Sequence, residues 1–288
     1  MLFSLCWLFL LIMLNPQAHE NVGTKIVTRH TGPGSVSEAT LYIMPDRRRL
    51  ELRHFVQSEN SSRSPEARTE PSSVFIQRCD LGQSFHLRPN VKEFSSSSYP
   101  PKPPTPQQEK QLAVENSDRG EPAKPTLRIE TTTVDTGERQ EMFGYVARRV
   151  TTTVRQTPLD GATSQSSLSV TDGWYIDLDR SISCDPEPSP GSKRSGLLSG
   201  YISVRAGGRQ PIDIPEFIDN GKRETGLPLS ETKTSPMMTK FADGTSTTND
   251  SQIKSEVIVL ERAVLDPALF EIPSEYKQVK QSQRRTED

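Results

Sequence analysis

Apolar residues make up only 32% of this 288-residue chain, and the mean hydropathy is −0.62. Even with its 17 glycines added, the apolar share stays below the roughly 45–50 per cent usual for globular domains. That deficit argues against a large two-domain enzyme with a deep core. No sign of charge prevails either: 35 Lys and Arg stand against 37 Asp and Glu, a formal net charge of −2. A dedicated nucleic-acid binder shows a basic patch or stripe, so no nucleic-acid partner is expected. No apolar run reaches the about 18 residues of a membrane-spanning helix, which excludes a polytopic helical membrane protein.

Chemistry-bearing patterns are equally scarce. There is no GxGxxG, P-loop, GxSxG, HExxH or EF-hand loop, and no internal repeat. With only three cysteines and four histidines, the CxxC spacings and clustered ligands of a zinc site are missing. His30, His54 and His86 fall on three separate strand-like stretches. A histidine base needs a nucleophile and an orienting group beside it, and nothing in the sequence supplies them. His54 and His86 read as sheet residues at a wet edge. No catalytic residue, metal site or cofactor is expected.

What the chain does have begins at its start. Thirteen of the first fourteen residues, Met1 to Leu14, are apolar. This length suits the core of a secretory signal peptide, about 7–15 residues, and is too short to cross a bilayer of about 30 Å. Residues 1–18 are therefore expected to be a leader, and the protein to be exported, periplasmic or extracellular. No Lys or Arg precedes the run and Pro16 sits where a small residue is wanted, so cleavage is left open. Membrane contact is expected only through an uncut leader. Beyond it remain Cys79 and Cys184. In an oxidising compartment they are candidates for one disulfide, closing a loop of about 105 residues, worth on the order of 4.7 kcal/mol in the chain-entropy model. Two free thiols are the alternative.

The remaining pattern is that of strands. Stretches at 24–31, 39–44, 49–56, 73–79, 83–88, 91–94, 126–134, 140–157, 169–179, 199–205, 225–235 and 253–260 are β-prone, several alternating, and punctuated by turn residues. Leu50, Leu52 and Val56 fall on one face of their strand, Glu51 and Arg53 on the other. A hairpin is expected at Asp46-Arg47, a turn at 135–138, and a bend at Gly144 in a long strand. Trp174, Ile176 and Leu178 point inward, Tyr175, Asp177 and Asp179 outward. Pro228 marks 225–235 as an edge strand. Residues 266–270 form a helical turn with Pro267 first. Residues 95–125, with seven prolines in 31 residues, form an unstructured insert, as does the tail at 281–288. The expected fold is mainly β: a single curved antiparallel sheet, a half-open barrel with little helix, spanning 19–280 around that insert.

Several charged groups invite a functional reading. Asp172, Asp177, Asp179 and Asp185 surround Trp174; paired carboxylates serve glycosidases or calcium, yet a solvated strand face explains them better. Arg47-Arg48-Arg49 and Arg148-Arg149 read as turns or solvated faces. Asn60-Ser61-Ser62 and Asn249-Asp250-Ser251 match the N-glycosylation acceptor.

Three passages together carry a resemblance: TGERQEMFGYVAR at 136–148, TDGWY at 171–175 and LDPALFEIPSEY at 265–276. Their order resembles a family of bacterial secreted or envelope proteins of unknown function. That family has a basic early hairpin turn, a central FGYxARxV-type strand, and a closing D-x-x-L-F-x-x-P-x-x-Y element. It is similar in fold to the periplasmic lipoprotein-carrier (LolA/LppX-like) group, whose unclosed, strongly curved antiparallel sheet holds acyl chains on its concave face. The resemblance covers most of residues 24–280 outside the insert and supplies no catalytic residues. It implies a non-enzymatic binding protein for a hydrophobic or lipid-like ligand, with Leu50, Leu52, Ile129, Trp174 and Ile176 as candidate lining. In the closing element Leu269, Phe270, Ile272 and Tyr276 are expected to cap an open end of the sheet. The alternative is an envelope structural module that meets protein partners through sheet edges and the Pro-rich insert. A hydrolase using Asp177 or Asp179 is the least favoured reading.

Overall fold

The computed structural model describes residues 21–56, 70–102, 105–107, 124–186, 213–240 and 246–280. The leader at 1–18, the tail at 281–288, the strand expected at 199–205 and most of the Pro-rich insert lie outside them. The described chain is mainly β, in one sheet that is not closed into a barrel. Its N-terminal meander comprises β1 (Val22–Gly32), β2 (Ser35–Met44), β3 (Arg47–Val56), β4 (Ser73–Arg78), β5 (Gln83–Arg88) and β6 (Glu93–Ser98). Then follow β7 (Leu127–Met142), β8 (Tyr145–Pro158), β9 (Ser167–Ile176), β10 (Pro215–Asn220), β11 (Leu227–Lys240), β12 (Ser246–Val264) and β13 (Lys277–Gln278). Their spatial order is β10-β7-β8-β9-β11-β12-β1-β2-β3-β4-β5-β6-β13.

The sheet is antiparallel except at its two edges, where β10 runs parallel to β7 and β13 parallel to β6. Both edge strands are short, six and two residues, which limits the open backbone available for pairing with another chain. The 19-residue β12 joins the two meanders. Its residues 246–256 pair with β11 and its residues 254–264 with β1. Only Lys254, Ser255 and Glu256 pair on both sides, so the two halves are offset along β12.

Local chemistry explains the turns. Phe143 and Gly144 both have positive φ, 52° and 76°, as a two-residue hairpin turn between right-twisted strands requires. The chain therefore reverses there, and β7 and β8 are separate strands rather than one bent strand. Residues 135–138 are not a strand-ending turn. They form an irregularity within β7, where Gly137 at φ 84° donates its N–H to Asp135 Oδ1 at 2.9 Å. The β2–β3 hairpin turns at Pro45-Asp46, one residue earlier than expected. Residues 95–98 belong to β6, so the insert cannot begin at Ser95: the serines alternate across a ladder with β5. Pro228 lies in an interior strand. It is tolerated because pairing of β11 with β12 begins only at Ser230, and the register with β9 shifts there.

Two segments cover the two faces of the sheet, and the alternation of β3 separates them. Arg47 and Arg49 point to one face, where Arg49 Nη1 donates to the Leu269 carbonyl at 2.6 Å and the Arg47 guanidinium lies 5.9 Å from the Phe270 ring centroid. Residues 265–276 cross this face. Their 3-10 turn, Pro267–Phe270, is capped by Asp266, whose carboxylate accepts from Ala268 N at 2.9 Å. Phe270, 1% exposed, is buried with Leu265, Met44, Val74, Ile76, Phe85 and Leu87, and Leu269, Ile272 and Tyr276 pack beside them. The closing element thus covers a sheet face rather than an end. Glu51 is buried here, 6% exposed, because Arg49 and Arg53 each donate to one of its oxygens at 2.8 and 2.7 Å. The basic run is a set of anchors, not a solvated face.

Arg48 and Leu50 point to the opposite face, which residues 177–186 cross. Ile182 is buried there with Ile26, Ile43, Ile176, Leu227 and Val257. Tyr175, expected to point outward, is also buried. Its ring approaches the site of the missing Cβ of Gly173, and its hydroxyl donates to Glu231 at 3.0 Å. A side chain at 173 would fill that space.

Candidate functional site: a cavity beneath a tethered strap

After Ile176 the chain leaves β9 and crosses to the far meander as a strap. Asp179 starts it, accepting from Ser181 N at 2.9 Å and Ser181 Oγ at 2.6 Å. Aspartate favours such local turns over a continuing strand. Asp177 and Asp179 therefore do not share a strand face, as the expected strand to 179 would require. The strap is then fastened three times. Ser183 N donates to the Pro45 carbonyl in the β2–β3 turn at 2.7 Å. Cys184 is disulfide-bonded to Cys79, at the end of β4, with a Cα–Cα separation of 5.4 Å. Asp185 receives both terminal nitrogens of Arg48, at 3.1 and 3.0 Å.

Arg48 organises this crossing. It also donates to Gln77 Oε1 at 2.6 Å, to the Arg180 carbonyl at 3.1 Å and to Tyr99 Oη at 3.3 Å, while the Tyr99 hydroxyl donates to Asp185. Burial and the Asp185 carboxylate push the Tyr99 phenol up. A disulfide is consistent with an oxidising, extracytoplasmic compartment.

Where the strap crosses the sheet lies a half-open cavity of about 180 Å³, to which the strap contributes Arg180. Its floor consists of two cross-strand rows. One is apolar: Ile26 of β1, Leu41 of β2 and Leu50 of β3 sit opposite one another in register, with Ala39 beside Thr28 in the next row. The other is polar: Glu231 of β11, Ser255 of β12 and His30 of β1. Leu227, Pro228 and the strap residue Arg180 complete the lining.

The polar row is self-satisfied. His30 Nδ1 and Ser255 Oγ are hydrogen-bonded at 2.9 Å, and Glu231 accepts from Tyr175. Burial holds the His30 imidazole below its ordinary value of 6.5, with Glu231 pulling the other way. These three residue types are those of a hydrolytic triad, but their order is wrong. Ser255 lies between Glu231 and His30, with strands about 4.8 Å apart, so the carboxylate is placed away from the imidazole it would have to orient. Among the described residues no hydrogen bond joins Glu231 to His30. Ser73 and His86 form a second hydroxyl–imidazole pair at 2.7 Å, with His86 stacked on Phe75 at 4.4 Å. There too, among the described residues, no carboxylate is hydrogen-bonded to the ring. His86 lies on the interior strand β5, not at an edge.

Arg180 differs from the other polar groups of the lining. Burial and the nearby Arg48 push its guanidinium below the usual arginine value. Among the described residues it meets no carboxylate and no hydrogen-bond acceptor.

Of the residues predicted to line a ligand site, Leu50 lines the cavity. Ile176 is buried in the adjoining core opposite Leu227, and Trp174 packs against that core. Leu52 shares the Leu50 face one row away, opposite Ala39 and Ser73. Ile129 sits on β7 between Gln156 and Phe217, near the outer edge. Neither Leu52 nor Ile129 lines the cavity. Ile26 and Leu41 were legible as alternating strand residues. Arg180 carried no sequence signal, because only the path of the strap brings it over the floor.

The four aspartates near Trp174 are each engaged separately. Asp172 accepts from Arg149 at 2.9 Å, Asp177 from Arg148 at 2.8 Å, Asp179 from Ser181 and Asp185 from Arg48. Among the described residues no His, Cys, Asp and Glu cluster is arranged to hold a metal ion. Likewise no helix there is long and apolar enough to cross a membrane. No family model matches the chain, and no curated protein matches its sequence.

Proposed function

We propose that this is an exported, non-enzymatic binding protein, periplasmic or extracellular, that holds a hydrophobic or lipid-like ligand between the sheet and the strap. The observation that carries the reading is the cavity itself. Its floor is largely apolar, its polar row is already hydrogen-bonded, and its roof is held by a disulfide and a bidentate ion pair. Such a lining has little left for acid–base chemistry but retains apolar surface that a ligand can cover. The resemblance to lipoprotein carriers points the same way.

The volume narrows the reading. At about 180 Å³ the cavity is below the roughly 300–1,000 Å³ of typical ligand pockets. It suits one short chain, not the several acyl chains of a lipoprotein. The test is native mass spectrometry and lipid extraction of protein purified from its own host, followed by titration with acyl probes. Empty protein that ignores every probe would overturn the proposal.

A second reading is a protein-interaction module. It draws support from the tip of the β7–β8 hairpin, where Val146 is 72% exposed and Phe143 in the turn is also exposed. Crosslinking with and without residues 108–123, a deletion that spares β6 and Tyr99, and with Val146→Lys, separates the two readings: an unchanged partner profile in both variants would remove this one.

A further inference from the structure

Resting on the binding-protein reading, we infer that the occupant of the cavity is a short-chain amphiphile with one anionic head, its carboxylate on Arg180 and its tail along Ile26, Leu41 and Leu50.

The charge argument begins with the neighbours. On the same strap and sheet, Arg48, Arg49, Arg78, Arg148 and Arg149 each meet at least one carboxylate. Arg180 meets none among the described residues, although it faces a cavity and is partly removed from water. The Arg180 guanidinium keeps contact with water, since no buried side-chain nitrogen among the described residues lacks a partner, and a carboxylate seated there exchanges that water for charge-assisted hydrogen bonds. Its planar fork matches a carboxylate with two parallel bonds.

The polarity of the cavity is also one-sided. Glu231 acts on His30 and Tyr175, so its charge belongs to the β11–β12 side. The group acting on Arg180 is Arg48, another cation. Arg48 is already paired with Asp185, so Arg180 is the cation of the lining that remains for an anionic head, while the apolar row offers methyl and methylene surface. The head and tail of an amphiphile are matched to these two surfaces, whereas a purely apolar ligand leaves Arg180 unpaired.

The tail length follows from the volume. An engineered apolar cavity of about 150 Å³ takes a six-carbon ring. A half-open cavity of about 180 Å³ shelters roughly six to eight carbons of a tail on that measure.

The test is calorimetric titration of the disulfide-intact protein with octanoate, octanol and octylamine, repeated on Arg180→Gln and Arg180→Lys. We expect octanoate to bind about tenfold or more tightly than octanol, the range of a charge-assisted hydrogen bond, and octylamine to bind weakest. Arg180→Gln should erase the preference while still binding octanol, which also shows that the variant is folded. Arg180→Lys should keep a reduced preference. Equal binding of octanoate and octanol by the native protein, or a preference that survives Arg180→Gln, overturns the anionic-head inference and leaves the binding-protein reading standing. Failure of all three probes overturns both.

Discussion

Arg48 of β3 grips Asp185 of the strap with two charge-assisted hydrogen bonds, Nη1 to Oδ2 at 3.1 Å and Nη2 to Oδ1 at 3.0 Å, across 137 residues of sequence. Both side chains are mostly shielded, 23% and 21% exposed. The same guanidinium holds Gln77, Tyr99 and the Arg180 carbonyl. Replacing Arg48 with Met should lower stability by about 1.5–3 kcal/mol, the range for hydrogen bonds to charged groups. Asp185→Asn should cost less, because the amide keeps an acceptor. A double-mutant cycle read by urea unfolding checks this; a coupling energy near zero would show that the pair does not act as a clasp.

The disulfide is a second, independent fastening of the same segment. Removing it by Cys79→Ser with Cys184→Ser should cost about 2–5 kcal/mol. The matching control is reduction of the native protein with dithiothreitol, which should shift the unfolding midpoint in the same direction. An unchanged midpoint in both would mean that Arg48 and the Ser183 hydrogen bond to Pro45 already hold the strap.

On the other face, Phe270 anchors the closing element. It is 1% exposed and packs among residues from β2, β4 and β5, so Phe270→Ala should cost about 3–5 kcal/mol. Hydrogen exchange should show the loss first in β13, which follows residues 265–276 in the chain and pairs only with β6. A cost below about 1 kcal/mol would mean that the face collapses without the ring.

The β7–β8 turn offers a change in the opposite direction. Phe143 occupies a left-handed conformation, φ 52°, that costs a bulky residue roughly 1–2 kcal/mol. Asparagine is favoured before glycine in such turns. Phe143→Asn should therefore raise stability by about 1 kcal/mol in thermal or urea unfolding. Destabilisation would instead reveal that the half-exposed ring makes contacts worth more than the strain.

Acidification should lower stability in two stages. Burial holds His30 and His86 below 6.5, with Arg88 adding to the effect at His86. The unfolded chain then binds more protons than the folded one just below that pH, so stability present above about pH 6.5 declines as pH falls through the folded values. A second decline begins near 3.8, where Arg78 holds Asp80, Arg149 holds Asp172 and Arg47 holds Asp46 below the ordinary carboxyl value. These carboxylates stabilise the fold above that pH and lose the contribution as they are protonated. Urea midpoints measured from pH 8 to pH 3 test both stages. The variant His30→Gln with His86→Gln should flatten only the upper one; an unaltered upper slope would assign it to other groups.

Period-2 alternation made most of the sheet legible because a strand with one buried face must place apolar residues at every second position. The ladder from β1 to β5 follows that pattern closely. So does the turn at 266–270, where Asp266 and Pro267 specify their geometry locally. Alternation fails where both faces are covered. Tyr175 and Glu51 looked outward because nothing local announces the Gly173 gap or the two arginines that pair with Glu51. It fails again where one short motif suits two structures, as at 135–138, where glycine makes an irregularity as readily as a turn.

By itself the sequence determined the mainly β class, the run of hairpins and the eligibility of Cys79 and Cys184 for pairing, since these depend on neighbours in the chain. Only the tertiary structure decided that β12 joins two offset meanders, that the edges pair in parallel, and that residues 177–186 roof a cavity rather than extend β9. Each of those rests on contacts between segments far apart in sequence. Arg180 is the plainest case: its neighbours in the chain make it one more arginine in a polar loop, and the crossing of the strap brings it into the lining beside Ile26, Leu41 and Leu50, with no carboxylate of the described residues paired to it.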